Sequence, residues 1–315
     1  MMVKNEFYQG LNLDRNEERW IAWEGHRSEI NEFIEKSLCK DGKAETAIVL
    51  GAGNCDDLDL QFLSQLFGSI TLADIDGDAT ERAVLAIDNE RIKNQIHVMK
   101  NIDFTKLDQI DFYHLFEQML VQKVSSNEIA AFLISSGNEM DSCSLLRDFH
   151  KGYSVVISSA VYTQVFYIHA LTIFAKYADL YSEQEVNQIV KGLVQLRDKI
   201  IKDYNDLLIF LVKDSGRIIV WTDVLRLDSS MEAIIVELYE FRMDKDRFNY
   251  LLKIIAQFGR EAAIVGLQDL QGKLSETPYL QRFWNWPFND EKQYLTIGLS
   301  GNPKRPLLNN RHQID

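Results

Sequence analysis

Short apolar runs alternate with stretches of helical period along this chain, most clearly between Ala47 and Asp76. Ala47-Ile48-Val49-Leu50 is an apolar run of strand type and ends in Gly51-Ala52-Gly53-Asn54. Leu58, Phe62, Leu66 and Phe67 then recur at helix spacing, and a second apolar run, Ile70 to Ala73, ends in Asp74-Ile75-Asp76. The pattern predicts strand, glycine turn, helix, strand and terminal acid, which is half of a nucleotide-binding βαβ unit.

The alternation continues. A turn at Asp41-Gly42-Lys43 precedes the first strand, and a helix from Ala79 to about Asn89 follows the second. Further strands are expected at Ile96 to Lys100, Tyr153 to Ile157 and Gly216 to Asp223. Phe283 to Phe288 and Gln293 to Leu299, flanking the polar turn Asn289-Asp290-Glu291, read as an antiparallel hairpin. An amphipathic helix is expected over 14–38, with Trp20, Trp23, Arg27, Ile30 and Ile34 near one face. Two helices joined at Ser125-Ser126-Asn127 are expected within 106–150, a buried helix over 160–178, a long one from Ser182 to about Leu211 and helical segments over 230–272. All four prolines lie beyond residue 277, so long helices are permitted before that point. The implied organisation is a helical cap (1–40), an α/β domain (41–301) with helical insertions near 106–150 and 161–212, and a tail (302–315).

The glycine turn narrows the ligand. Glycines at 51 and 53 let the chain turn sharply and present bare main chain to a ligand. An acid at the end of the second strand, Asp74, is placed to accept hydrogen bonds from a ribose diol. A dinucleotide fold sets a pyrophosphate against free N–H groups at the start of the helix. Here Asp56 and Asp57 put two negative charges at that end, which suit the helix dipole but repel phosphate. A nucleoside bearing positive charge, such as S-adenosylmethionine, fits better.

These residues resemble the class I (Rossmann-like) S-adenosylmethionine-dependent methyltransferases, whose first strand leads into a GxGxG-like loop and whose second ends in a ribose-binding acid. Gly51 and Gly53 match that loop; Cys55 stands where its third glycine would be. The resemblance implies a Rossmann-like, mostly parallel seven-stranded sheet with an antiparallel C-terminal hairpin and extra helices. It implies S-adenosylmethionine as cofactor, contacted by Gly51, Ala52, Gly53, Asn54, Asp74 and Ile75. By the same resemblance Asp103 and Phe104 meet the adenine, and Ser158 and Ser159 the methionine part. Tyr162 and Gln164 face the acceptor, and an N-terminal helix carrying Trp23 and Arg27 closes over the pocket. The plainer alternatives are that Asp103 caps a helix and that the tryptophans dock theirs on the core. The insertion at 106–150 suits either a lid or a contact between two copies of the chain.

Composition removes other classes. With 47 acidic against 34 basic residues the net charge is −13, which repels nucleic acid. Three separated cysteines, Cys39, Cys55 and Cys143, without a CxxC pair, read as reduced thiols of a cytoplasmic protein and argue against a metal site. The polar N-terminal stretch is not a signal peptide. Thr163, Gln164, His169, Thr172 and Lys176 interrupt the most membrane-like stretch, so no membrane span is expected.

Methyl transfer to a hydroxyl needs a proton acceptor. His169, Asp223 and Tyr162 are the catalytic candidates, with His150 and His26 behind them. No NPPY-like amino-methylating signature follows the fourth strand. The expected activity is methylation of a small-molecule hydroxyl or amine. Two alternatives stay open: a peptide, protein or glycan acceptor, and a non-catalytic binding scaffold.

Overall fold

The computed structural model describes residues 17–38, 44–227, 231, 236–237, 240, 244–275 and 279–304. Cys39, the 41–43 turn, parts of the 230–272 helical stretch and the tail beyond 304 lie outside these residues. The elements used below run in chain order. Helices α1 (Glu17–Ala22) and α2 (Glu24–Ser37) precede strand β1 (Ala44–Leu50). Then come α3 (Leu60–Leu66), β2 (Phe67–Asp74), α4 (Gly77–Leu85) and β3 (Ile96–Lys100). Next are α5 (Phe112–Val121), α6 (Ser126–Asn138), β4 (Tyr153–Ser159), α7 (Tyr167–Ala175), α8 (Glu183–Leu211) and β5 (Val212–Leu227). The chain closes with α9 (Asp244–Phe258), α10 (Glu261–Lys273), β6 (Leu280–Asn289) and β7 (Lys292–Gly301).

The seven strands form one sheet in the order β3-β2-β1-β4-β5-β7-β6. The first five are mutually parallel, and β7 pairs antiparallel with both β5 and β6. Both faces of the parallel part are covered, so its strands read as unbroken apolar runs, yet the period of two still sorts their side chains. Ala47 and Val49 of β1, Val155 and Ile157 of β4, and Ile219 and Trp221 of β5 point into one core with α2 and α3 residues such as Ile30, Phe33 and Leu63. Ile48, Leu50, Val156, Ile218 and Val220 point into the other, against Ile201, Leu208 and Leu211 of α8 and Leu270 of α10.

A third cluster sits away from the sheet and joins the two helical insertions. Phe112, Phe116 and Leu120 of α5, Ile129 and Leu133 of α6, Ala170 and Phe174 of α7, and Leu193 and Leu196 of α8 form one apolar unit. The long α8 starts from a reciprocal Ser182–Glu185 capping box, which satisfies two N-terminal donors at once.

Three expected elements change. The helix expected over 14–38 divides at Trp23, whose φ of −93° and ψ of 8° break the repeat while its indole N–H donates to the Phe288 carbonyl at 3.0 Å. Trp20 therefore leaves the buried face and is 40 % exposed. The helix expected over 160–178 shrinks to α7, because 160–166 is irregular and Phe166 takes a φ of +60°. The first helix of the βαβ unit begins at Leu60 with Asp59 as its N-cap, accepting from the Phe62 N–H. Asp56 and Asp57 thus lie in the loop before that helix, not in its first turn, and the dipole argument for them lapses.

Candidate functional site

The loop after β1 packs closely against the residues that follow β4. Gly51 has φ +80°, and a Cβ there would stand 2.5 Å from Cγ2 of Val161 and 2.8 Å from the Ser159 carbonyl oxygen. Gly53 follows with φ +49°, and Cys55 takes φ +59° although it carries a side chain. The position where the resembled loop has its third glycine thus keeps the left-handed backbone without the residue that adopts it freely.

Asp74 fixes this loop to the end of β2. One carboxylate oxygen accepts from the Gly53 N–H at 2.8 Å and the other from the Asp76 N–H at 2.8 Å. Burial pushes its carboxyl above the usual range, against the pull of those backbone donors. Asp76 is used differently: it caps α4 by accepting from the Ala79 N–H.

A cavity of about 320 Å³ opens above these residues, at the carboxyl ends of the parallel strands. Gly51, Ala52, Gly53, Asn54, Asp74 and Ile75 line one end, together with Asp103 and Phe104. Asp103 is engaged internally, accepting from the Thr105 N–H and hydroxyl with one oxygen and from the Asp108 N–H with the other. The ring of Phe104 packs on Tyr204 at 5.4 Å, and Ile102 adds apolar wall beside it.

Asp56 and Asp57 face the same space. Arg19 of α1 reaches Asp56 at 3.5 Å, and Arg27 donates to the Asp56 carbonyl at 3.0 Å. Asp57 accepts from the Ser159 hydroxyl at 2.5 Å and the Trp221 indole N–H at 3.3 Å, and burial raises its carboxyl above the usual range.

Another part of the lining is aromatic. Trp23 from the N-terminal cap meets Trp286 and Phe288 of β6, with ring centroids 4.9 and 5.3 Å away, and Tyr294 of β7 completes the wall. Asp223 joins this part: one oxygen accepts from the Thr163 hydroxyl at 2.6 Å and the other pairs with Arg260. Burial raises the Asp223 carboxyl, while the Arg260 charge opposes that rise. The sheet order, the glycine turn and a ligand-sized cavity over the strand ends together decide the architecture.

This is the Rossmann-like sheet with an antiparallel hairpin that the resemblance implies. No family model matches the chain, and no curated protein matches it. Among solved structures it is similar to the N-methyltransferase NodS from Bradyrhizobium japonicum WM9, in complex with S-adenosyl-L-homocysteine, at 11 % identity over 96 % of this chain and 99 % of that one (TM-score 0.45). It is also similar to an O-methyltransferase family protein from Burkholderia thailandensis, at 11 % identity over 96 % and 60 % (TM-score 0.38). A third, protein PH0226 from Pyrococcus horikoshii OT3, shares 13 % identity over 95 % and 99 % (TM-score 0.38).

Several sequence candidates lie away from the cavity. His169 does not line the cavity; its ring stacks on Tyr113 at 4.0 Å in the helical unit, and burial, then Lys176, lowers its pKa to about 4. Tyr162 faces the other way, donating to Asn205 at 2.6 Å in the core, and burial raises its pKa well above the ordinary value. The Ser158 hydroxyl is likewise turned inward, to Tyr204 at 2.8 Å. Arg27 lies behind the cavity wall, its guanidinium 3.6 Å from the Trp20 ring centre. Trp23, Ser159, Gln164 and Asp223 do face the cavity. Consecutive residues leave a strand on opposite faces, which is why Ser158 and Ser159 part company.

Sequence reading passed over Arg19, Thr163, Arg260 and the hairpin aromatics. The last had a signal: Trp284, Trp286 and Phe288 alternate with other residues at the strand period, so they share one face. Arg260 had none. It sits between α9 and α10 and reaches the site because its N–H donates to the Val224 carbonyl at 2.7 Å.

Proposed function

We propose that the cavity binds S-adenosylmethionine and that the protein transfers its methyl group to a small-molecule hydroxyl or amine. The observation that carries this reading is the Gly51–Gly53 turn, held to Asp74 beneath a cavity whose near wall is acidic. The lining fits the ligand because Asp56, Asp57 and Asp74 there oppose phosphate and tolerate positive charge, and because Gly51 lets the loop lie directly against Val161 and Ser159 at the cavity's edge. Gly51 to Asn54, Asp74 and Ile75 would hold the nucleoside, with Ile102 and Phe104 offering apolar surface to the base. When bound, S-adenosylmethionine supplies a methyl group already activated on a sulfonium.

The chain's own contribution is alignment and exclusion of water. Trp23, Trp286, Phe288 and Tyr294 enclose the acceptor end, and Gln164 offers an amide for orientation. For a hydroxyl acceptor, Asp223 is the carboxylate in place to take the proton, its position fixed by Thr163 and its charge balanced by Arg260. His169 and Tyr162 do not line the cavity. Reduced cysteines suit a cytoplasmic setting; among the described residues no helix is long and apolar enough to cross a membrane.

Titration calorimetry with S-adenosylmethionine tests the reading. Saturable heat is expected, while millimolar NAD leaves the melting temperature unchanged. No heat with the first, or stabilisation by the second, overturns it. Incubating labelled cofactor with size-fractionated cell extract then separates small from macromolecular acceptors, and label confined to large acceptors sinks the small-molecule assignment.

A further inference from the structure

Asp57 is 8 % exposed and faces the cavity, yet among the described residues no arginine or lysine forms an ion pair with it. Its neighbour Asp56 differs, having Arg19 at 3.5 Å. The groups that hold Asp57 are neutral donors, the Ser159 hydroxyl and the Trp221 indole. Arg27 feels its charge less than those of Asp59, Glu24 and Asp56, and Asp56 itself adds repulsion. A buried carboxylate held by neutral donors alone is costly to keep ionised, and its raised pKa reports that cost. A cation entering the cavity would remove it.

Resting on the proposed nucleoside site, we infer that Asp57 is the counter-ion for the α-ammonium group of the bound cofactor. The ammonium suits it better than the sulfonium. A carboxylate set against the sulfonium would stabilise positive charge that methyl transfer removes, favouring the ground state. Set against the ammonium, it stabilises charge that persists throughout, so it adds affinity without slowing the chemistry. Asp57 thereby divides labour with Asp74, which serves the loop and the sugar. It also gives the site a means of telling the amino-acid-bearing nucleoside from a bare one.

The experiment is calorimetry of the full chain with three ligands: S-adenosylmethionine, S-adenosylhomocysteine and 5′-methylthioadenosine, which lacks the amino-acid group. Asp57→Asn is expected to weaken the first two by about tenfold or more, a loss of roughly 1.4 kcal/mol per decade, and to leave the third within about twofold. An equal loss for all three would mean that Asp57 merely props Ser159 and Trp221, and no loss would mean that it faces no cation; either overturns the assignment. If the variant fails to fold, the unmutated protein answers. Lowering pH through the carboxylate range should weaken S-adenosylmethionine relative to methylthioadenosine, since protonating Asp57 removes the attraction while Asp74 affects both ligands alike. A constant ratio overturns the inference. Failure of all three ligands to bind the unmutated protein would instead overturn the nucleoside site itself.

Discussion

The indole N–H of Trp284 donates to Nδ1 of His26 across 2.9 Å and ties the N-terminal helix to the C-terminal hairpin. The His26 ring also lies parallel to Trp286, 4.3 Å away, so it backs the aromatic wall of the cavity without entering it. Accepting at Nδ1 requires the neutral imidazole with its proton on Nε2. Burial, aided by Arg27, lowers its pKa from 6.5 to about 3.

That shift has a sign. Below pH 6.5 the unfolded chain gains a proton on His26 that the folded chain refuses, so this contribution to stability is complete above 6.5 and falls as pH drops towards about 3. Between pH 7 and pH 5 the loss should be about 2 kcal/mol. Urea unfolding of the wild type and His26→Gln at both pH values isolates it: the wild type should lose about that much more than the variant. Parallel losses would show that His26 titrates normally in the fold.

Asp74→Ala removes the acceptors of two backbone N–H groups, that of Asp76 buried and that of Gly53 half-buried. We expect destabilisation of about 2 kcal/mol, read by denaturant unfolding, together with loss of S-adenosylmethionine binding by more than about tenfold. Asp74→Asn, which keeps one oxygen, should fall between. Full binding by Asp74→Ala would remove the ribose role.

Gly51→Ala tests the cradle sterically. A methyl group at φ +80°, pressed against Val161 and the Ser159 carbonyl, should cost on the order of 2 kcal/mol. Nucleoside binding should be lost even at temperatures where the variant remains folded. A variant that binds normally would mean that ligand does not approach this turn.

The catalytic assignment separates three residues that looked equivalent along the chain. Asp223→Asn should lower the rate of hydroxyl methylation by about 10²-fold or more while leaving cofactor affinity within about twofold. His169→Gln and Tyr162→Phe should leave the rate within about twofold. Single-turnover kinetics on whichever acceptor the labelling identifies provide the measurement; a collapse in His169→Gln alone would move the proton acceptor to the helical unit.

Much of the fold is legible in the sequence. The apolar runs at 47–50 and 70–73, the strand pattern at 96–100, the glycines at 51 and 53 and the acid at 74 fix local conformation, because strand period, positive φ and terminal polarity are properties of neighbouring residues. The hairpin was equally readable from its polar turn. The ends of helices were less so: Trp23 ends one through a bond to Phe288, 265 residues away, and no local signal carries that.

What the sequence determined by itself was therefore the glycine turn and its acids. The tertiary structure alone decided which catalytic candidates reach the cavity. Direction at a strand end depends on the face each residue takes, so Ser159 looks into the site while Ser158 looks into the core. Tyr162 and His169 carry suitable chemistry but are claimed by Asn205 and Tyr113, while Arg260 and Trp286 arrive from distant segments. Packing fixes such pairings because each buried polar group must find a partner somewhere in the fold, and that partner is seldom nearby in the chain.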